Sequence, residues 1–117
     1  MRTSIRTLAV TATLLLAGAC GSDAEPDPSC TEPEPASSVA LADFEFQPAC
    51  IGAATGASIA LENTGAAPHT FTIEGTDVDV DLPAGESGTA SLEGVDAGAY
   101  ALTCTYHPQM TGTLVVD

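Results

Sequence analysis

Cys104, His107 and Met110 stand at three-residue intervals in the run Cys104-Thr105-Tyr106-His107-Pro108-Gln109-Met110, offering a thiol, an imidazole and a thioether. Sulfur donors combined with imidazole suit a soft or borderline metal ion, and copper best among the first-row metals. His69 and His107 are the only histidines, and Met110 is the only methionine apart from the initiator, so the scarce metal donors of this chain are the ones a single site would use. A centre that passes single electrons must hold Cu(I) and Cu(II) without large rearrangement. Two imidazoles and a thiolate in a trigonal arrangement, with a long axial thioether, do this. His69, Cys104, His107 and Met110 match that set ligand for ligand, three from one loop and one from a distant segment. No nucleophile-and-base pair, paired-carboxylate site or phosphate-cradling loop is recognisable. Four protein ligands would leave no open position for a substrate, so no catalytic residue is assigned and the chain is not expected to be an enzyme.

Strands must deliver these donors. From Val39 onward apolar and polar residues alternate with period two, broken by Gly, Pro and Asn about every ten residues, the pattern of a small all-β sandwich or barrel. About seven short strands are expected from pairs sharing a face: Phe44 and Phe46; Ile59 and Leu61; Phe71 and Ile73; Val78, Val80 and Leu82; Ala90 and Leu92; Tyr100 and Leu102; Leu114 and Val116. Turn residues separate them at Asn63-Thr64-Gly65, Glu74-Gly75-Thr76, Pro83-Ala84-Gly85 and Asp96-Ala97-Gly98. His69 has the strand parity of Phe71 and Ile73, and Cys104 that of Tyr100 and Leu102, so both should point inward from strand ends. An unpaired buried imidazole costs on the order of 1 to 3 kcal/mol, so an inward His69 needs a metal ion or a hydrogen-bonding partner. Asp77, Asp79 and Asp81 alternate with the apolar face of their strand and read as a solvated outer face rather than a calcium site.

The chain is 117 residues long, enough for one domain, and its start does not read as fold. Arg2 and Arg6 precede a brief apolar run from Leu8 to Ala17, and Ala17-Gly18-Ala19 supplies small residues before a cleavage point, so residues 1–19 are expected to be a secretory signal. The run is far short of the roughly 20 residues needed to span a bilayer. Leu14-Leu15-Leu16-Ala17-Gly18-Ala19-Cys20-Gly21 resembles the lipobox of bacterial lipoproteins, with Ala17 where that family prefers Leu. The resemblance implies a lipidated Cys20 that anchors the protein to the outer face of the cell membrane, and several acyl chains would hold it firmly. Ordinary cleavage, with Cys20 free or in a disulfide, is the alternative. Residues 20–38 are then expected to be a tether. Positions 21–37 hold four prolines, five acidic residues and no large apolar side chain, and at about 3.1 Å per residue they could reach roughly 50 Å. Loss of residues 1–19 removes both basic residues, whereas all 16 Asp and Glu lie beyond Cys20. Such a wholly acidic protein is expected to avoid nucleic acid and to touch the membrane only through its lipid. Its charge would either keep it soluble or steer a basic partner toward it.

Residues 39–117 resemble a cupredoxin, in particular the type 1 blue copper proteins of the plastocyanin, amicyanin and pseudoazurin group. Gly98, Tyr100, Cys104, His107, Pro108, Met110 and Gly112 correspond to that family's Gly-x-Tyr, Cys-x-x-His-Pro and Met-x-Gly pattern, with the compact ligand loop of amicyanin-like members. Phe44-Glu45-Phe46-Gln47-Pro48 and Asn63-Thr64-Gly65, followed by His69-Thr70-Phe71, resemble its early strand and first-ligand loop. Thr70 departs from the pattern, because many members carry there an Asn that ties the ligand loops together. The resemblance implies a Greek-key sandwich and one type 1 copper held by His69, Cys104, His107 and Met110. It also implies an electron port at His107 within an apolar docking patch of Ala66, Ala67, Pro68 and Pro108. The expected partner is a redox protein such as a c-type cytochrome or an oxidase domain, served by a monomer.

With that role for Cys104, a partition of the remaining cysteines gives Cys20 lipidated and Cys30 bridged to Cys50, while a disulfide that uses Cys104 itself stays open. A tetrahedral zinc site is disfavoured by the thioether. An immunoglobulin-like domain is disfavoured because Tyr100 precedes Cys104 by four residues where a tyrosine corner there requires two. Two functional readings remain beside the electron carrier: a copper carrier or store using the same residues, and a metal-free interaction module.

Overall fold

The computed structural model describes residues 24–117; the expected signal and Cys20 lie outside the described residues. The described part is an all-β sandwich with ten strands: β1 (Glu34–Pro35), β2 (Ser38–Ala42), β3 (Glu45–Gln47), β4 (Cys50–Ala53), β5 (Ser58–Asn63), β6 (His69–Ile73), β7 (Asp79–Leu82), β8 (Ser87–Ser91), β9 (Gly98–Cys104) and β10 (His107–Val116). One sheet has the order β1-β4-β10-β9-β6-β7, the other β3-β2-β5-β8. The seven expected strands are present, and β1, β2 and β4 make up the difference. These three are rich in Pro, Ala, Gly and Ser, residues whose weak strand preference is overridden by pairing: β2 runs parallel to β5, β4 parallel to β10, and β1 parallel to β4.

Period-two alternation builds the core. Strand β5 alternates exposed and buried residues over its whole length, and Ile59 and Leu61 join Val39, Leu41, Phe46, Ile51, Phe71, Ile73, Leu92, Leu102 and Leu114 between the sheets. Phe46 and Phe71 meet edge to face with ring centres 6.0 Å apart, joining the sheets below the end that carries the histidines. Gly112 permits this closeness, since a Cβ there would stand 2.9 Å from the Ala49 carbonyl oxygen and 3.3 Å from the Phe46 ring. Tyr100 donates its hydroxyl to the Asp96 carbonyl at 2.7 Å, closing the corner before β9.

Phe44 does not share the inward face of Phe46. Ala42 pairs with Glu45, which leaves Asp43 and Phe44 as a two-residue hairpin turn. Such turns need positive φ, and Phe44 adopts it (68°), so its ring is thrown outward and is half exposed. A bulky residue in this conformation is unusual.

Part of the segment expected to be a tether lies against the sandwich. The Asp27 amide donates to Thr113 Oγ1 at 2.8 Å, Cys30 is bonded to Cys50 at the start of β4, and Glu34–Pro35 pairs with Ile51 and Gly52. Closing a loop with a sequence separation of 20 should stabilise the domain by about 3 kcal/mol on the chain-entropy argument. Replacing Cys30 and Cys50 together by Ser should therefore lower the unfolding free energy by about that amount in urea titration. A loss below about 1 kcal/mol would contradict this role.

Candidate metal centre

Two tight hairpins meet at one end of the sandwich. In the first, Cys104 ends β9 and pairs with His107, the first residue of β10, across the turn residues Thr105 and Tyr106. The second is the Asp43-Phe44 turn of the opposite sheet. His69, which opens β6, lies between them and is fully buried; Cys104 is 2% exposed and His107 half-buried. One ligand atom from each of His69, Cys104 and His107 lies within 4.8 Å of the other two. Nδ1 of His69 is 3.8 Å from Cys104 Sγ, and the two imidazole centres are 5.0 Å apart. Met110 is fully buried where the pairing of β10 with β9 is interrupted between His107 and Thr111.

Hydrogen bonds hold Cys104 and the segments that carry His69 and the ligand turn. The Thr70 amide donates to Cys104 Sγ at 3.3 Å, stabilising electron density on the sulfur. The Thr105 amide donates to Thr70 Oγ1 at 2.9 Å. Thr72 Oγ1 donates to Asp79 at 2.9 Å. Its single proton being used there, Thr72 accepts from Thr70 Oγ1, also at 2.9 Å. The result is a one-directional chain from the ligand hairpin through β6 to a carboxylate on β7, in which each bond polarises the next. Asn63, 1% exposed, donates to the carbonyls of Ala67 and Leu82 and accepts from the Gly65 amide, so the loop leading to His69 is held from within. Tyr106 donates to Asp81 at 2.6 Å, a bond that pushes its phenol pKa upward and ties the ligand turn to β7.

The cupredoxin-like domain family matches residues 7–116. The chain belongs to that family. No curated protein sequence matches it. Among solved structures, this cupredoxin is similar to a purple cupredoxin from Nitrosopumilus maritimus, with 16% identity over 69% of this chain and 99% of that one and a TM-score of 0.57. It is also similar to an oxidised amicyanin variant, with 21% identity over 75% and 89% and a TM-score of 0.58. It matches a portion of a copper-containing nitrite reductase from Thermus scotoductus, with 20% identity over 74% of this chain but 23% of that one and a TM-score of 0.59. At these identities the likeness is one of fold.

The donors fit the family's copper ion on the structure's own terms. Nε2 of His107 is buried without a hydrogen-bond partner among the described residues, a state that costs about 1–3 kcal/mol unless a further bond satisfies it. Cys104 is a free thiol, which removes the disulfide alternative, and it is buried beside an imidazole nitrogen. A thiol and two imidazoles converging with a buried thioether nearby in sequence suit copper over zinc. This cupredoxin therefore holds one type 1 copper ion.

Of the residues expected in a docking patch, Ala66, Pro68 and Pro108 are exposed and Ala67 is half-buried. Two contributors were not expected. Asp43 is hydrogen-bonded to His69, and the Phe44 ring packs edge-on against His107, with centres 5.0 Å apart. Alternation placed Phe44 inward, and Asp43 is 26 residues from His69, so no local signal marked either. Thr70, where the sequence departs from the family pattern, ties the two ligand segments with its own hydroxyl, which accepts from Thr105. Thr70→Val keeps the shape but removes that acceptor. It should cost about 1 kcal/mol in urea unfolding and accelerate hydrogen exchange at the Thr105 amide; unchanged protection of that amide would contradict the chain.

Proposed function

We propose that this cupredoxin is an extracytoplasmic, membrane-tethered carrier of single electrons. The observation that carries the reading is the convergence of His69, Cys104 and His107 within 4.8 Å on backbone already fixed by hydrogen bonds. Bound copper supplies a one-electron Cu(I)/Cu(II) couple. In this reading Cys104 would hold the ion through its thiolate, His69 and His107 through their imidazoles, and Met110 through its thioether. The hydrogen bonds on His69, Cys104 and the ligand turn would favour the same donor arrangement in either oxidation state.

The exposed residues Ala66, Pro68 and Pro108, with half-buried Ala67, flank the two histidines in sequence, and Phe44 adds an exposed ring directly against His107. An apolar rim of this kind suits brief docking of a redox partner over the His107 edge. With Arg2 and Arg6 removed, every charged side chain is acidic, which favours a basic partner such as a c-type cytochrome or an oxidase domain. The membrane attachment rests on the sequence around Cys20.

Repeated reduction and reoxidation in the presence of a competing Cu(I) chelator tests the assignment. An electron carrier keeps its copper through the cycles, and its exchange with a basic cytochrome slows as salt rises. Loss of the ion on first reduction would favour the copper-carrier reading, and a rate indifferent to salt would remove the steering. For the tether, the intact mass of protein extracted from membranes should correspond to a chain beginning at Cys20 and bearing acyl groups; an unmodified mass would sink that part.

A further inference from the structure

Asp43 sits in the turn between β2 and β3, in the opposite sheet from all three convergent donors. Its Oδ1 lies 3.0 Å from Nε2 of His69, and the same carboxylate accepts from the Ala66 amide at 3.1 Å on both oxygens and from the Ala67 amide at 3.3 Å. The side chain is 40% exposed, whereas the His69 side chain is completely buried. Space for the Asp43 carboxylate is reserved: a Cβ on Gly65 would collide with it and come within 2.9 Å of His69 Nε2.

An ionised carboxylate can only accept, so the proton of a neutral His69 is drawn to Nε2, and Nδ1 keeps the lone pair it turns toward Cys104 at 3.8 Å. A carboxylate behind a ligand imidazole also raises its basicity and places negative charge near the metal. We infer that Asp43 is a positioning residue of the copper centre: it fixes His69 as the Nε2–H tautomer and favours Cu(II) over Cu(I). The inference rests on the copper assignment, but not on any particular partner.

Two variants separate the effects. Asp43→Asn keeps an acceptor for Nε2 but removes the charge; Asp43→Ala removes both. Nitrogen-15 NMR of the metal-free mature protein should show His69 protonated at Nε2, with Asp43→Ala giving a mixture of tautomers. Affinity for Cu(II) should fall about 10- to 100-fold in Asp43→Ala. In Asp43→Asn it should fall about tenfold more than affinity for Cu(I), raising the reduction potential by about 59 mV. Unchanged tautomer and potential, or an equal loss of affinity for both oxidation states, would show a merely structural role and overturn the inference. Thermal melts of the metal-free variants identify misfolding, and should Asp43→Ala misfold, Asp43→Asn still decides the matter. If the unmutated protein forms no blue centre, the copper assignment fails and this inference with it, an outcome distinct from a blue protein indifferent to Asp43.

Discussion

Thr70 holds the two halves of the metal centre to one another. Its amide reaches the Cys104 sulfur and its hydroxyl accepts from Thr105, so the strand that presents His69 and the hairpin that presents Cys104 and His107 cannot shift independently. Because Thr70 is nearly fully buried, these bonds form where water does not compete, and an unmade bond would be costly. The chain continues through Thr72 to Asp79, so the exposed aspartates of β7, which look like plain solubilising charge in sequence, include the acceptor at its end. Rigidity of this kind suits a centre whose function requires one donor arrangement in two oxidation states.

A second constraint crosses between the sheets. The Asp43-Phe44 turn belongs to the smaller sheet, yet Asp43 engages His69 and Phe44 engages His107, both in the larger one. Phe44 adopts positive φ, which a bulky side chain normally avoids, and that conformation carries its ring outward over the imidazole. Below this layer the Phe46 and Phe71 pair and the aliphatic core keep the sheets in register, while the Cys30–Cys50 bond ties the segment before β1 to the start of β4.

Much of the centre was legible in the sequence because its chemistry is concentrated. Cys104, His107 and Met110 advertise their donors by spacing, and strand parity alone placed His69 and Cys104 inward, where they lie. The pairing of Cys30 with Cys50 followed from assigning the other cysteines. Strands β1, β2 and β4 were less legible, because their small residues and prolines become strands through neighbours distant in sequence. Asp43 and Phe44 were illegible for a related reason: one ordinary acidic residue and one aromatic acquire their roles from a turn conformation and from partners brought close only by folding. Thr70 read as a departure from a family pattern, and only the geometry showed that a hydroxyl does the tying there.

His69, Cys104 and His107 form one copper centre with a thiolate bond. Its most direct test is the visible and electron paramagnetic resonance spectrum of the mature protein with one equivalent of Cu(II), beside that of Cys104→Ala. The expected result is an intense blue thiolate-to-copper band and a narrow copper hyperfine splitting, bleached reversibly by a mild reductant and absent from the variant. A colourless protein, or an ordinary Cu(II) spectrum that survives the loss of Cys104, would contradict it.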